Sequence, residues 1–102
     1  MTRQELTRLK EKMVETRKAT QVARIEYRAV CDAYDMRYAA GGDLKEVAPK
    51  LHEIARERLR LRIIYDQADH ASDVAFHDYF ESRDNVVLDL LDRINDKLGS
   101  TP

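Results

Sequence analysis

Carboxylate and imidazole side chains recur at helical spacing in the C-terminal half of this 102-residue chain. The set has successive gaps of four, three, four and four residues and comprises Asp66, His70, Asp73, His77 and Glu81. Side chains three or four residues apart share one face of an α-helix, and both groups are zinc ligands. The pattern therefore raises two interpretations, a metal site and a solvated acidic face.

Two observations favour the solvated face. Metal sites in helical bundles use Glu-x-x-His pairs whose ligands project inward from two helices, and the sequence contains no Glu-x-x-His. An acidic face also has a charge partner within the chain, because residues 1–28 carry eight Lys and Arg against four Glu. We therefore predict neither a metal nor a cofactor, and keep the five residues as an alternative metal site.

A second candidate is an alternating run of arginines in the middle of the chain, Arg56, Arg58, Arg60 and Arg62. Helical residues two apart diverge by roughly 200°, so the run does not form one stripe that could follow a phosphate backbone. Arg24, Arg28 and Lys50 could widen the patch, but the acidic last third of the chain would repel a duplex. We predict a solvated, salt-bridged girdle, with nucleic-acid binding as the alternative.

Motifs of nucleotide-binding and hydrolytic enzymes are absent from the sequence, including GxxxxGK[ST], GxGxxG, Cys-x-x-Cys and GxSxG. The single Cys31 cannot close an intramolecular disulfide, which fits a reducing compartment. We expect it to fill a core position, since no histidine is placed near it. The sequence thus predicts a non-enzymatic protein without catalytic residues.

The elements that carry these residues follow from apolar periodicity. A repeat of alternating threes and fours predicts a coiled-coil-like first helix over about residues 3–39. Its inward positions are Leu6, Leu9, Met13, Thr16, Thr20, Ala23, Tyr27, Val30, Tyr34 and Arg37. Gly41 and Gly42 then supply the freedom that a reversal of direction requires.

A second long helix is predicted over about residues 49–81, after a turn at 40–48, with Pro49 at the start of the helix. Its inward stripe is Leu51, Ile54, Leu61, Ile64 or Tyr65, Ala68, Ala71 or Ser72, Ala75 and Tyr79, with Phe76 and Phe80 alongside. If the turn centres on the glycines, the partner of residue n lies near 84 − n. This register sets the basic residues 1–28 beside the acidic side chains after Asp66.

The polar residues Ser82 to Asn85 predict a break, followed by a short third helix at about 85–98 and a tail at 99–102. The predicted fold is therefore a single all-α domain: an antiparallel long-helix hairpin, coiled-coil-like, plus a short third C-terminal helix. With 36% charged residues and no apolar run of membrane-spanning length, we expect a cytoplasmic protein that does not engage a membrane.

Seven large aliphatic residues fall within residues 86–98, and the predicted register leaves them without a counterpart in the hairpin. These side chains could be buried in three ways: against a symmetric copy, against a different protein, or by folding back over the hairpin. The candidate partner-binding residues are Val87, Leu90, Leu91, Ile94 and Leu98. We expect an interaction protein such as an adaptor, small chaperone or regulator, and a homo-oligomer.

Overall fold

Two antiparallel helices make up the protein in a computed structural model that describes residues 1–99. Helix α1 spans Arg3–Ala40 and helix α2 spans Leu44–Gly99. The molecule measures 89 × 20 × 13 Å, so it is a rod about one helix pair thick. The all-α class and the long-helix hairpin are confirmed. Residues 100–102 of the predicted tail lie outside the described residues.

Helix α1 begins with a capping box. The Thr2 hydroxyl accepts a hydrogen bond from the Glu5 backbone N–H at 3.1 Å, and the Thr2 N–H donates to the Glu5 carboxylate at 2.9 Å. These reciprocal bonds satisfy groups that the first turn of a helix leaves unpaired. The start of the helix is thus fixed by local chemistry.

The contact between the helices follows the predicted repeat. In α1 the shielded residues include all ten of the predicted inward positions, from Leu6 to Arg37. In α2 the corresponding positions are Val47, Leu51, Ile54, Arg58, Leu61, Tyr65, Ala68, Ser72, Ala75, Tyr79, Ser82 and Val86. We call these two sets the hairpin seam. Of the alternatives left open by the sequence, Tyr65 and Ser72 face α1, whereas Ile64 and Ala71 are exposed.

The middle of the hairpin seam is lined by small residues. Ala23 and Ala75 are buried, and the Thr20 hydroxyl lies 2.9 Å from the carbonyl oxygens of both Thr16 and Ala68. A hydroxyl can bridge two helices in this way only where the backbones approach closely. The small side chains therefore allow the two helix backbones to approach closely, but they bury little apolar area.

The predicted register is wrong by one to two helical turns. Thr20, and not Thr16, lies against Ala68; Tyr27 stacks on Tyr65 with ring centroids 6.2 Å apart. The partner of residue n therefore lies near 90 − n. Lys50 is then level with the end of α1 at Ala40, so the first turns of α2 extend beyond α1. The chain continues beyond the end of α1 before it reverses direction. The residues of α2 are therefore shifted relative to those of α1 from the predicted pairing.

Only Gly41, Gly42 and Asp43 separate the two helices, which makes the turn shorter than the predicted 40–48. Asp43 starts α2, because its carbonyl accepts from the N–H groups of Glu46 and Val47 at 2.9 Å. Its carboxylate also accepts from the Lys45 N–H at 3.2 Å. Pro49 lies inside the helix. Its missing N–H affects a single carbonyl near the helix start, and the helix continues.

The predicted third helix is wrong, because α2 runs without a break through Ser82–Asn85 to Gly99. Serine, aspartate and asparagine disfavour a helix by only about 0.5–0.7 kcal/mol each relative to alanine. Contacts on both sides offset this: Ser82 and Val86 are half-buried in the hairpin seam, and the Arg83 guanidinium lies 4.5 Å from the Phe80 ring centroid. Neither Gly nor Pro stands there to end the helix.

The register predicts which engineered disulfide forms. In a Cys31→Ser background, the pair Thr20→Cys and Ala68→Cys should oxidise readily, because these positions are in direct contact across the hairpin seam. The pair Thr16→Cys and Ala68→Cys is the control, one turn out of register, and should oxidise slowly. Non-reducing electrophoresis with peptide mapping measures both. Faster closure of the control pair would contradict the register.

The turn predicts unequal effects for its two glycines. Gly41 and Gly42 have φ values of +67° and +122°, so an alanine at either is strained. A Cβ at Gly42 would also lie 3.0 Å from Cγ2 of Val47, whereas one at Gly41 meets nothing within 4 Å. We expect each single alanine variant to lose about 1–3 kcal/mol, with Gly42→Ala the worse. Thermal unfolding followed by circular dichroism tests this, and equal melting temperatures would refute the order.

Candidate partner-binding surface

The hairpin seam ends on α2 at Val86. Continuing its repeat leads to Asp89, Arg93 and Asp96, which are charged and exposed. Met1, which precedes α1, lies beside Val86, Asp89, Leu90 and Arg93 in a shallow groove. Helix α1 therefore covers α2 as far as about residue 90. By the predicted register α1 would have ended opposite about residue 80, and this prediction is wrong.

The five predicted partner-binding residues are all exposed. Between 48% and 69% of each is open to solvent, for the set Val87, Leu90, Leu91, Ile94 and Leu98. These residues are therefore not buried by folding back over the hairpin. Val87 and Leu90 are exposed because they lie on a face of α2 rotated away from the hairpin seam, whereas Leu91, Ile94 and Leu98 lie beyond the part of α2 that α1 covers.

This apolar face begins well before residue 86. A second alternating repeat starts directly after Ala75 and overlaps the hairpin seam for ten residues. We define the C-terminal stripe as its apolar members and their immediate neighbours, namely Phe76, Phe80, Val87, Leu90, Leu91, Ile94 and Leu98. Arg83 occupies the remaining repeat position. The stripe is rotated by roughly 120° from the hairpin seam about the axis of α2.

Aromatic rings contact one another in the first part of the C-terminal stripe. The Phe76 and Phe80 centroids lie 4.5 Å apart, and Tyr79 meets Phe80 edge to face at 5.1 Å. The Arg83 guanidinium lies over the Phe80 ring, 4.5 Å from its centroid. Phe76 nevertheless remains 40% exposed. Sequence analysis placed both phenylalanines beside the hairpin seam, although the continuing spacing 76, 80, 83, 87, 90, 94 was a signal for the stripe.

The alternative metal residues do not form a site. Asp66, His70, Asp73, His77 and Glu81 line one exposed face of α2, as their spacing predicted. Asp66 accepts a hydrogen bond from Arg62 at 3.3 Å, and His77 meets the Phe76 ring edge-on at 5.9 Å. Within residues 1–99, no three His, Cys, Asp or Glu side chains are grouped so that they could hold a metal ion.

Two of the mid-hairpin arginines are held on tyrosine rings. The Arg58 guanidinium lies 4.6 Å from the Tyr34 centroid, and Arg62 lies 5.6 Å from that of Tyr27 while donating to its hydroxyl at 3.3 Å. The Tyr27 hydroxyl, followed by the Asp66 charge, raises the pKa of Arg62. These cation–π contacts join the helices across the edge of the hairpin seam.

Arg60 points to another side of α2, where it donates to the Glu57 carboxylate. That hydrogen bond holds the pKa of Glu57 below its usual value. Three of the four arginines are thus engaged within the chain, in different directions, as expected for a salt-bridged girdle.

Cys31 is half-buried on the flank of α1.

Comparison with known proteins gives no family to which the chain can be assigned. No family model, curated protein or solved structure matches it. In the described part of the chain, neither helix offers a stretch long and apolar enough to cross a membrane.

The tyrosine contacts predict a difference between neighbouring arginines. Arg62→Gln removes a guanidinium that binds Tyr27 and Asp66, so the melting temperature should fall by on the order of 1–3 °C. Arg56→Gln, at an exposed position on the same helix, should leave it unchanged. Both variants are compared at one protein concentration. A fall for Arg56→Gln alone would contradict the assignment.

Proposed function

We propose that this chain is a non-enzymatic helical interaction protein, an adaptor, small chaperone or regulator that acts through self-association or by docking on a protein partner. The single unpaired Cys31 makes the cytoplasm the proposed location. The observation that carries the proposal is the amount of surface that the hairpin leaves uncovered.

The accessible surface of the chain is 8344 Å². A compact monomer of its mass, 11.9 kDa, exposes about 5,950 Å². The excess is therefore about 2,400 Å², the size of a large protein–protein interface. By the same scaling the chain buries about half of its unfolded surface, less than even a 60-residue domain.

The buried core is correspondingly small. Among the described residues, the buried apolar side chains are Ala23, Val47, Leu61 and Ala75, and two of these are alanines. Each buried alanine contributes little hydrophobic free energy, because the contribution scales with the area removed from water. A partner that covered the exposed apolar residues would add what this core lacks.

The uncovered apolar surface is also concentrated. Scattered exposed aliphatics are ordinary on a soluble protein, whereas a contiguous apolar patch marks an interaction site. The C-terminal stripe runs over about six helical turns of α2, interrupted at one repeat position by Arg83. The metal-binding and nucleic-acid-binding alternatives have no comparable feature in their favour, since their side chains are dispersed or paired within the chain.

A double variant tests this function. Leu90→Asp with Leu91→Asp should abolish association and the binding of an apolar fluorescent dye, because it charges the centre of the C-terminal stripe. Helical circular dichroism should remain, since both side chains lie outside the hairpin seam. The control is Val22→Asp with Ile25→Asp, which charges two similarly exposed aliphatics on α1 and should leave association intact.

The unmodified chain supplies the decisive outcome. Light scattering over a wide concentration range, together with dye fluorescence, reports self-association and accessible apolar surface. A chain that stays monomeric and binds no dye would contradict the proposed function. A chain that associates equally well with and without the two aspartates would place the function on another surface.

A further inference from the structure

We propose that the occupant of the C-terminal stripe is a second copy of this chain, paired antiparallel so that the two stripes meet about a twofold axis near Val87. This inference rests on the proposed function and names its partner. It follows from the spacing of the stripe, its area and the charges around it.

The spacing of the stripe is that of a helix–helix contact. Positions 76, 80, 83, 87, 90 and 94 alternate by four and three residues, as the hairpin seam does where it receives α1. This period keeps one face of a helix against another helix over several turns. The stripe spans 23 residues, or about 33 Å of helix. Its matching partner is a helical stripe of similar length.

The ends of the stripe are complementary to each other when the stripe is reversed. With Val87 on the axis, Phe80 of one copy lies level with Ile94 of the other, and Phe76 lies level with Leu98. Each aromatic ring at one end then meets an aliphatic side chain at the other. A twofold interface requires this property, because the same patch must serve both partners.

The area suffices for a stable pair. A half-exposed aliphatic side chain offers roughly 90 Å² to a partner, and six of the seven stripe residues are between 40% and 69% exposed. Two copies would therefore bury on the order of 1,100 Å² through these side chains alone, close to the lower bound of specific interfaces. Side chains next to the stripe would also become buried and would increase this interface area.

Charge favours the antiparallel orientation, in which Glu81 of each copy is level with Arg93 of the other, although Asp78 is then level with Asp96. Residues 76–98 carry six acidic side chains against three basic ones. A parallel pair would set each of these charges beside its own copy, and like charges at one level are unfavourable. In the antiparallel pair Arg83, now 3.9 Å from Asp84 of its own chain, is level with Leu91 of the other copy, between Asp89 and Asp92.

Cysteine scanning tests orientation and partner together, in a Cys31→Ser background. Val87→Cys lies on the axis, so an antiparallel pair should oxidise it to a disulfide dimer at least about tenfold faster than Ile94→Cys. Ile94 is the matched control, because it shares the face of Val87 and a similar exposure but lies about 21 Å from its own copy. Val74→Cys, exposed off the stripe, reports random collision.

The outcomes separate this inference from the proposed function. Preferential dimers through Val87→Cys, with a concentration-dependent dimer of the unmodified chain in sedimentation, support it. Equal cross-linking at 87 and 94 indicates a parallel pair and overturns it. Cross-linking no faster than at 74, with dye binding retained, also overturns it and leaves a different protein as the partner. A monomer without dye binding overturns both proposals.

Discussion

Two helices can share only one contact face, and the rest of this structure depends on that constraint. Each helix of the pair presents a strip a few residues wide to the other, and the remaining faces stay in water. The hairpin seam uses that strip fully, from Leu6 to Arg37 on one helix and from Val47 to Val86 on the other. The shared strip cannot form a deep core, so among the described residues the buried apolar side chains are few and half of them are alanines.

The sequence predicted α1 residue by residue, because a period of 3.5 residues is a local property that a coiled-coil-like helix expresses directly. It predicted the register less well, since the register depends on how three loop residues climb past the end of α1. It also placed helix ends at Pro49 and at Ser82–Asn85, where the structure continues. Single-residue preferences of below about 1 kcal/mol do not interrupt a helix that packs along its length.

The residues predicted to bind a partner are exposed, but only in part for the reason that the sequence suggested. Sequence analysis left Val87 and its neighbours without a counterpart because α1 was expected to end too early. In the structure α1 reaches about residue 90, so Ile94 and Leu98 lie beyond its end, while Val87 and Leu90 are exposed because their repeat has moved to another face of α2. Phe76 and Phe80 were missed for the same reason, since one helix carries both repeats between residues 76 and 86.

Electrostatics has a directing role in the hairpin. The ion pairs at Arg60 with Glu57, Arg62 with Asp66 and Arg83 with Asp84 all lie within α2 and are exposed, so they contribute little to stability. The basic α1 and the acidic part of α2 act at longer range, where they favour the antiparallel arrangement. Closer contacts between the helices come from tyrosine rings beneath Arg58 and Arg62.

The unbroken course of α2 has a mechanical consequence. Because neither a hinge nor a loop separates Val47 at the turn from Val87 in the stripe, those two points are held about 60 Å apart by continuous helix. A partner that binds the C-terminal stripe therefore also fixes the position and direction of the glycine turn, because continuous helix connects the two. A pair of such helices joined at their ends would hold two turns about 120 Å apart, a span that a folded-back third helix would have shortened.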